Sequence, residues 1–99
     1  MYVGLRFEWD PLKEAENQRK HHVSFTEAES VFADEHALLI DDPEHSEDEP
    51  RFVLMGLSTK LRVLVVVHAH RESTGVIRLI SARKANSRER ALYNQRWRT

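Results

Sequence analysis

Apolar positions recur at period two through much of the second half of the chain. Val63, Val65, Val67 and Ala69 fall on one face of an extended strand, and Arg62, Leu64, Val66, His68 and His70 fall on the other. The break Glu72-Ser73-Thr74-Gly75 ends in glycine, as turns often do, and residues 76–83 read as a second strand. The pattern predicts a hairpin at the centre of a sheet, with arginine and histidine set into its strands. Residues 51–58 form a third extended run that Thr59-Lys60 turns into the hairpin. Residues 37–40 make a brief apolar strand, and residues 2–9 alternate as an N-terminal one.

Helical signals fill the remaining stretches. Asp10-Pro11 supplies an N-cap followed by proline at the first helical position, so a helix is expected from there to Lys20 or His21. Its apolar stripe is thin, Leu12 and Ala15, which puts it at the edge of the core. Ser24 and Glu27 have the spacing of a capping box, with Val23 and Ala28 as a staple. Ala28, Val31 and Phe32 supply the buried stripe of that second helix, which should end near residues 33–34. Asn86 and Glu89 repeat the capping spacing before a last helix that runs to about Trp97, with Leu92, Tyr93 and Trp97 available to pack. The predicted order is β-α-α-β-β-β-β-α, an α+β domain over residues 1–99 whose sheet is mostly an antiparallel meander.

Composition narrows the class. Ninety-nine residues suffice for one modest core. Without cysteine there is no disulfide framework and no thiolate metal site. No signal-peptide pattern opens the chain and no apolar run approaches the roughly 20 residues of a membrane span, so a soluble cytoplasmic protein without membrane association is expected. The net charge of −1 conceals a division: residues 1–59 carry 5 Lys and Arg against 14 Asp and Glu, and residues 60–99 carry 10 against 2. Either a basic surface faces a polyanion, or the acidic half covers the basic half within one fold. Residues 41–50, DDPEHSEDEP, are too polar to pack and too broken by proline for a helix, so an exposed loop is expected. It has no glycine to fold its carboxylates around a cation.

The segments FEWDPLKEAENQRKHHVSF, HSEDEPRFVLMGLS, LRVLVVVHAHRES and IRLISARKANSRERALYN, in that order over residues 7–93, resemble the BrnT family of type II toxin–antitoxin systems. The resemblance implies a small RelE-like α+β domain with a curved antiparallel sheet. It implies a ribonuclease that arrests translation; with no metal-ligand set legible in the sequence, no cofactor is expected. The implied partner is a BrnA-like antitoxin, a ribbon-helix-helix protein, whose complex with the toxin represses their own operon, so that operator DNA is met only through that complex. One residue departs from the pattern. Similar sequences usually have glycine after the Lys-His pair, where this chain has His22. Glycine suits a left-handed helix terminus, whereas histidine is sterically disfavoured there.

Cleaving RNA without a metal takes a base for the 2′-hydroxyl, an acid for the leaving oxygen and cations for the phosphoryl group. Histidine suits proton transfer near neutral pH, and the planar fork of arginine fits phosphate oxygens in pairs. The expected catalytic group is Arg62, His68, Arg78 and Arg83. Arg62 and His68 share one strand face. Arg78 and Arg83 fall on opposite faces of an ideal strand, so either a bulge or strand end brings both to one site, or only one belongs. Lys20, His21, Arg71 and Lys84 are expected to bind RNA near the ends of elements. Tyr93 would stack on a base, unless the last helix uses it in the core. His68 and His70 could form half a metal site, but no third ligand lies near in sequence and no metal is expected. The competing class is a non-catalytic nucleic-acid or protein binding module that docks through the basic hairpin.

Overall fold

The computed structural model describes residues 5–41, 50–71 and 73–96. Tyr2 and Val3 of the expected first strand, most of the expected acidic loop, Glu72 of the turn and Trp97 of the last helix lie outside the described residues. The elements run β1 (Arg6–Glu8), α1 (Pro11–His21), α2 (Phe25–Ser30), a 3-10 turn (Val31–Ala33), β2 (Leu38–Asp41), β3 (Arg51–Leu57), β4 (Val63–Arg71), β5 (Val76–Lys84) and α3 (Ser87–Arg96).

The strands lie in the order β1-β5-β4-β3-β2. From β2 to β5 they form an antiparallel meander. β1 departs from it. It lies at the far edge and pairs parallel with β5, Arg6 opposite Val76 and Glu8 opposite Arg78. The sheet is therefore mixed: the expected meander is present, and the parallel pairing of β1 departs from it. After β1 the chain passes through α1 and α2 to the opposite edge, and the meander then returns it beside β1 in the same direction.

Local signals act at each junction. The Asp10 side chain accepts from the Leu12 N–H at 2.8 Å and opens α1. His22 closes it in the left-handed region (φ 58°, ψ 35°), with its N–H on the Gln18 carbonyl at 2.9 Å. Histidine thus adopts a left-handed backbone that favours glycine, at about 1–2 kcal/mol for a residue with a Cβ. Ser24 caps α2 by accepting from the Glu27 N–H at 3.0 Å. The Glu27 carboxylate does not complete that box. It turns inward to Ser58 and Arg62, at 2.6–2.7 Å. At α3 the box is reciprocal, Glu89 N–H to Asn86 at 2.8 Å and Asn86 N–H to Glu89 at 2.9 Å.

The apolar stripe expected for α1 is not what docks it, since Leu12 is 80% exposed and Ala15 is exposed too. The buried residue of α1 is Asn17. β1 pairs with β5 only as far as Arg78, which leaves the later peptide groups of β5 without a strand on that side. Asn17 takes the place of one. Its oxygen accepts from the Ala82 N–H at 3.0 Å, and its amide donates to the Ala82 carbonyl at 2.8 Å and to the Val23 carbonyl at 2.9 Å.

Both sheet faces carry apolar clusters. On one, Val23, Phe25, Ala28 and Val31 pack against Leu54, Leu64, Val66, Ile77, Leu79 and Ala82. Gly56 permits the close approach of the 3-10 turn there, because a Cβ on it would stand 2.8 Å from Val31 Cγ1. On the other face, Tyr93 of α3 packs with Met55, Val65 and Ala85. Asp34 joins the two layers, accepting from the Leu57 N–H at 2.8 Å and the Tyr93 hydroxyl at 2.5 Å. The charge division is partly consumed inside the fold, as Arg62 pairs with Glu27 and Arg71 approaches Glu8 at 3.9 Å.

Candidate functional site

The pairing of β4 with β5 shifts by one residue. Val67 lies opposite Ser81 while His68 lies opposite Leu79, so Ile80 has no partner of its own. This bulge reverses the alternation of β5 partway along. Arg78, opposite Ala69, and Arg83, opposite Val65, therefore project to the same face, with Ser81 between them. Of the two arrangements the sequence allows, the bulge is the one present. Arg51 lies opposite Ala69 from the other side and so joins the row of Arg78. Nothing in the alternation of β3 marked it.

Beside the bulge, between β5 and α1, lies a cleft of about 270 Å³ lined by Lys13, Glu16, Asn17, Lys20, His21, Ile80 and Ser81. Lys20 and His21 thus stand with Ser81, the residue between the two arginines. Lys20 is exposed and rests 3.3 Å from Glu16 one helical turn back. His21 is half-buried at the end of the helix.

Of the other expected site residues, Arg62 and Arg83 are held by carboxylates. Arg62 makes a two-pronged contact with Glu27, Nε at 2.7 Å and Nη2 at 2.6 Å, and Nη2 also reaches the His22 carbonyl at 2.9 Å. Those bonds hold the Glu27 carboxylate below its usual range and the Arg62 guanidinium above its own, despite burial of the acid. Arg83 grips both oxygens of Glu89 at 2.8 and 2.9 Å, drawing that acid down to about 2. Tyr93 is buried, with its ring in the core, so it does not offer a face to a base. Arg71 and Lys84 are exposed, Arg71 near Glu8 and Lys84 at the end of β5.

His68 is 4% exposed and lies on the sheet face away from Arg78 and Arg83, between Phe32 at 4.8 Å and Phe52 at 5.9 Å. Its Nδ1 is buried without a hydrogen-bond partner. Burial, helped by nearby His70, pushes its pKa down to about 4. The ring is therefore neutral at working pH and out of reach of a phosphate on the arginine face. Among the described residues no group of three His, Asp or Glu side chains gathers as a metal site would need, so His68 and His70 lack a third ligand there.

The same burial predicts an acid response. The unfolded chain binds a proton at this histidine near pH 6.5, whereas the folded chain resists until about 4. Stability is complete above the first value and declines as pH falls toward the second, by up to about 3 kcal/mol. The carboxylates with lowered values, Glu27, Asp34 and Glu89, add losses only below about pH 4.5. Urea melts from pH 7 to 4.5 should show the histidine slope in the native chain and not in His68→Leu. An unchanged slope in the variant would assign it to another group.

The family model of the ribonuclease toxin BrnT, of type II toxin–antitoxin systems, matches residues 9–89. This chain belongs to the BrnT family. It is accordingly a ribonuclease toxin of that class, with an antitoxin as partner. The crystal structure of the Brucella abortus ribonuclease toxin BrnT at 1.1 Å is similar in fold, with a TM-score of 0.63 at 21% identity, covering 84% of this chain and 99% of that one. No curated protein matches in sequence. The BrnT match takes in the α1–β5 cleft, the bulge and the Arg83–Glu89 pair, and ends before Tyr93. Among the described residues no helix is long and apolar enough to cross a membrane.

Proposed function

We propose that this BrnT toxin cuts RNA in the cleft between α1 and β5, without a metal ion. The observation that carries the reading is the Ile80 bulge, which turns Arg78 and Ser81 to one side, beside the cleft where Lys20 and His21 stand. His21 takes the proton of the 2′-hydroxyl, and that oxygen attacks the adjacent phosphorus to give a 2′,3′-cyclic phosphate. The departing 5′ oxygen takes its proton from water at the cleft mouth. Lys20 and Arg78 offset the charge that gathers on the phosphoryl oxygens. Arg51 and Arg71 extend the basic row along which the rest of the strand would lie. His68, Arg62 and Tyr93 act through the fold in this reading, and Arg83 first as the anchor of α3. The resemblance to BrnT toxins adds arrest of translation in the cytoplasm, a BrnA-like ribbon-helix-helix antitoxin, and operon repression by the complex.

Purified toxin incubated with total RNA in EDTA should yield fragments ending in 2′,3′-cyclic phosphate. Activity that disappears in EDTA and returns with a single divalent metal would overturn the metal-free mechanism. Retention of RNA without cleavage, with or without metal, would favour a binding module instead.

A further inference from the structure

Among the described residues one sheet edge is guarded and the other has no further strand on it. β1 is three residues long and carries Arg6 and Glu8, which discourages another strand from pairing. β2, at the opposite edge, pairs only with β3 among the described residues and has no lysine, arginine or proline. Its Leu39 and Ile40 are 60% and 54% exposed. They lie opposite Leu54 and Val53 respectively, and so project to opposite faces. Apolar side chains on both sides of an open edge are what a soluble protein avoids unless another strand covers them.

A second feature adjoins this edge. On the helix side of the sheet a mainly apolar hollow of about 370 Å³ is walled by Leu39, Ala37, Phe32, Leu54, Phe52 and Ile77, with Asp34, His68 and His70 as its polar lining. It is separate from the α1–β5 cleft, with which it shares no lining residue. Its size suits one long aliphatic or aromatic side chain. A neutral imidazole between two phenylalanine rings gives it an apolar floor.

We propose that β2 is the docking edge for the antitoxin, which adds an extended segment to the sheet and places a large apolar side chain over Leu39 into this hollow. The inference rests on membership of a toxin–antitoxin family and not on where RNA is cut. An added strand gains main-chain hydrogen bonds along β2, and its alternate side chains meet Leu39 on one face and Ile40 on the other. Charge selects the occupant. Residues 35–41 contain Glu35 and Asp41 without a lysine or arginine, and the sequence continues from Asp41 into further carboxylates. A second copy paired antiparallel would set that acidic stretch against itself. A segment carrying lysine or arginine beside its apolar anchor would be drawn to it instead.

The test uses the whole toxin and the antitoxin encoded with it. Leu39→Glu and Ile40→Lys sit on exposed positions, so both variants should melt as the native chain does and cleave RNA at the native rate. Each should weaken the complex at least tenfold. Hydrogen exchange of the complex should show new protection at residues 38–41. Native affinity in both variants, or no protection there, would overturn the proposal. So would sedimentation showing that free toxin pairs with itself through this edge and loses that pairing in Ile40→Lys. Failure of RNA cleavage by the native chain would strike the catalytic reading alone, because the binding measurement does not depend on it.

Discussion

Arg62→Ala is expected to lower stability by about 2–3 kcal/mol, less than the loss of one partner from a wholly buried ion pair because the guanidinium is 30% exposed. Glu27 is 4% exposed, and three of its contacts come from Arg62 and Ser58. Without the guanidinium its charge keeps only the Ser58 hydroxyl in a setting that water barely reaches. The Arg62 fork also holds the His22 carbonyl, where the chain turns from α1 into α2 in a left-handed conformation. The substitution therefore loosens a strained corner as well as stranding a charge. Urea melts of Arg62→Ala, Glu27→Leu and the double variant would measure the coupling. The double variant should be more stable than Arg62→Ala, because no unpaired carboxylate remains. A midpoint for Arg62→Ala within about 1 kcal/mol of native would sink this account. The prediction bears on function too. Growth assays that find Arg62 variants harmless report a lost fold, unless the protein is shown to be intact.

What the sequence showed, and what it did not, divides along one physical line. Patterns set by neighbours in the chain were legible: the alternation of β4, the Asp10 cap, and the reciprocal box of Asn86 and Glu89. Features that depend on distant partners were not. The parallel seat of β1 follows from the route of the whole chain. The docking of α1 by Asn17 depends on an unpaired stretch of β5 sixty-five positions away in sequence. Glu27 read as half of a capping box because its real partners, Ser58 and Arg62, lie beyond any local window. The candidate site suffered from the same limit. Arginine and histidine in strands mark chemistry worth testing, yet only the register tells which share a face. One unpaired residue, Ile80, turned Arg83 to the face of Arg78, and the depth of the core took His68 away from the proposed site.

His21→Gln and Lys20→Gln are each expected to reduce RNA cleavage by roughly 10²–10³, the typical effect of deleting one group that stabilises or moves charge in the transition state. Both side chains border the α1–β5 cleft. Lys20 is 62% exposed and makes only a helical-turn contact with Glu16, so its removal should leave the melt unchanged. Glutamine keeps a hydrogen-bonding group in each case, one bond shorter than lysine, and removes the proton-transfer group or the charge. Arg78→Lys extends the test, since it keeps the charge but loses the paired geometry that fits phosphate oxygens. It should fall between native and the two glutamine variants. The comparison with His68 is the sharpest one. His68→Leu removes a ring that is neutral and faces away from the arginines, so at pH 7 a folded variant should retain cleavage within a few-fold. If His21→Gln cleaves at the native rate while His68→Leu, equally well folded, does not, proton transfer belongs to the buried ring. The sheet would then have to open on its helix side to admit RNA, and hydrogen exchange in β4 should report that opening as a loss of protection when RNA binds.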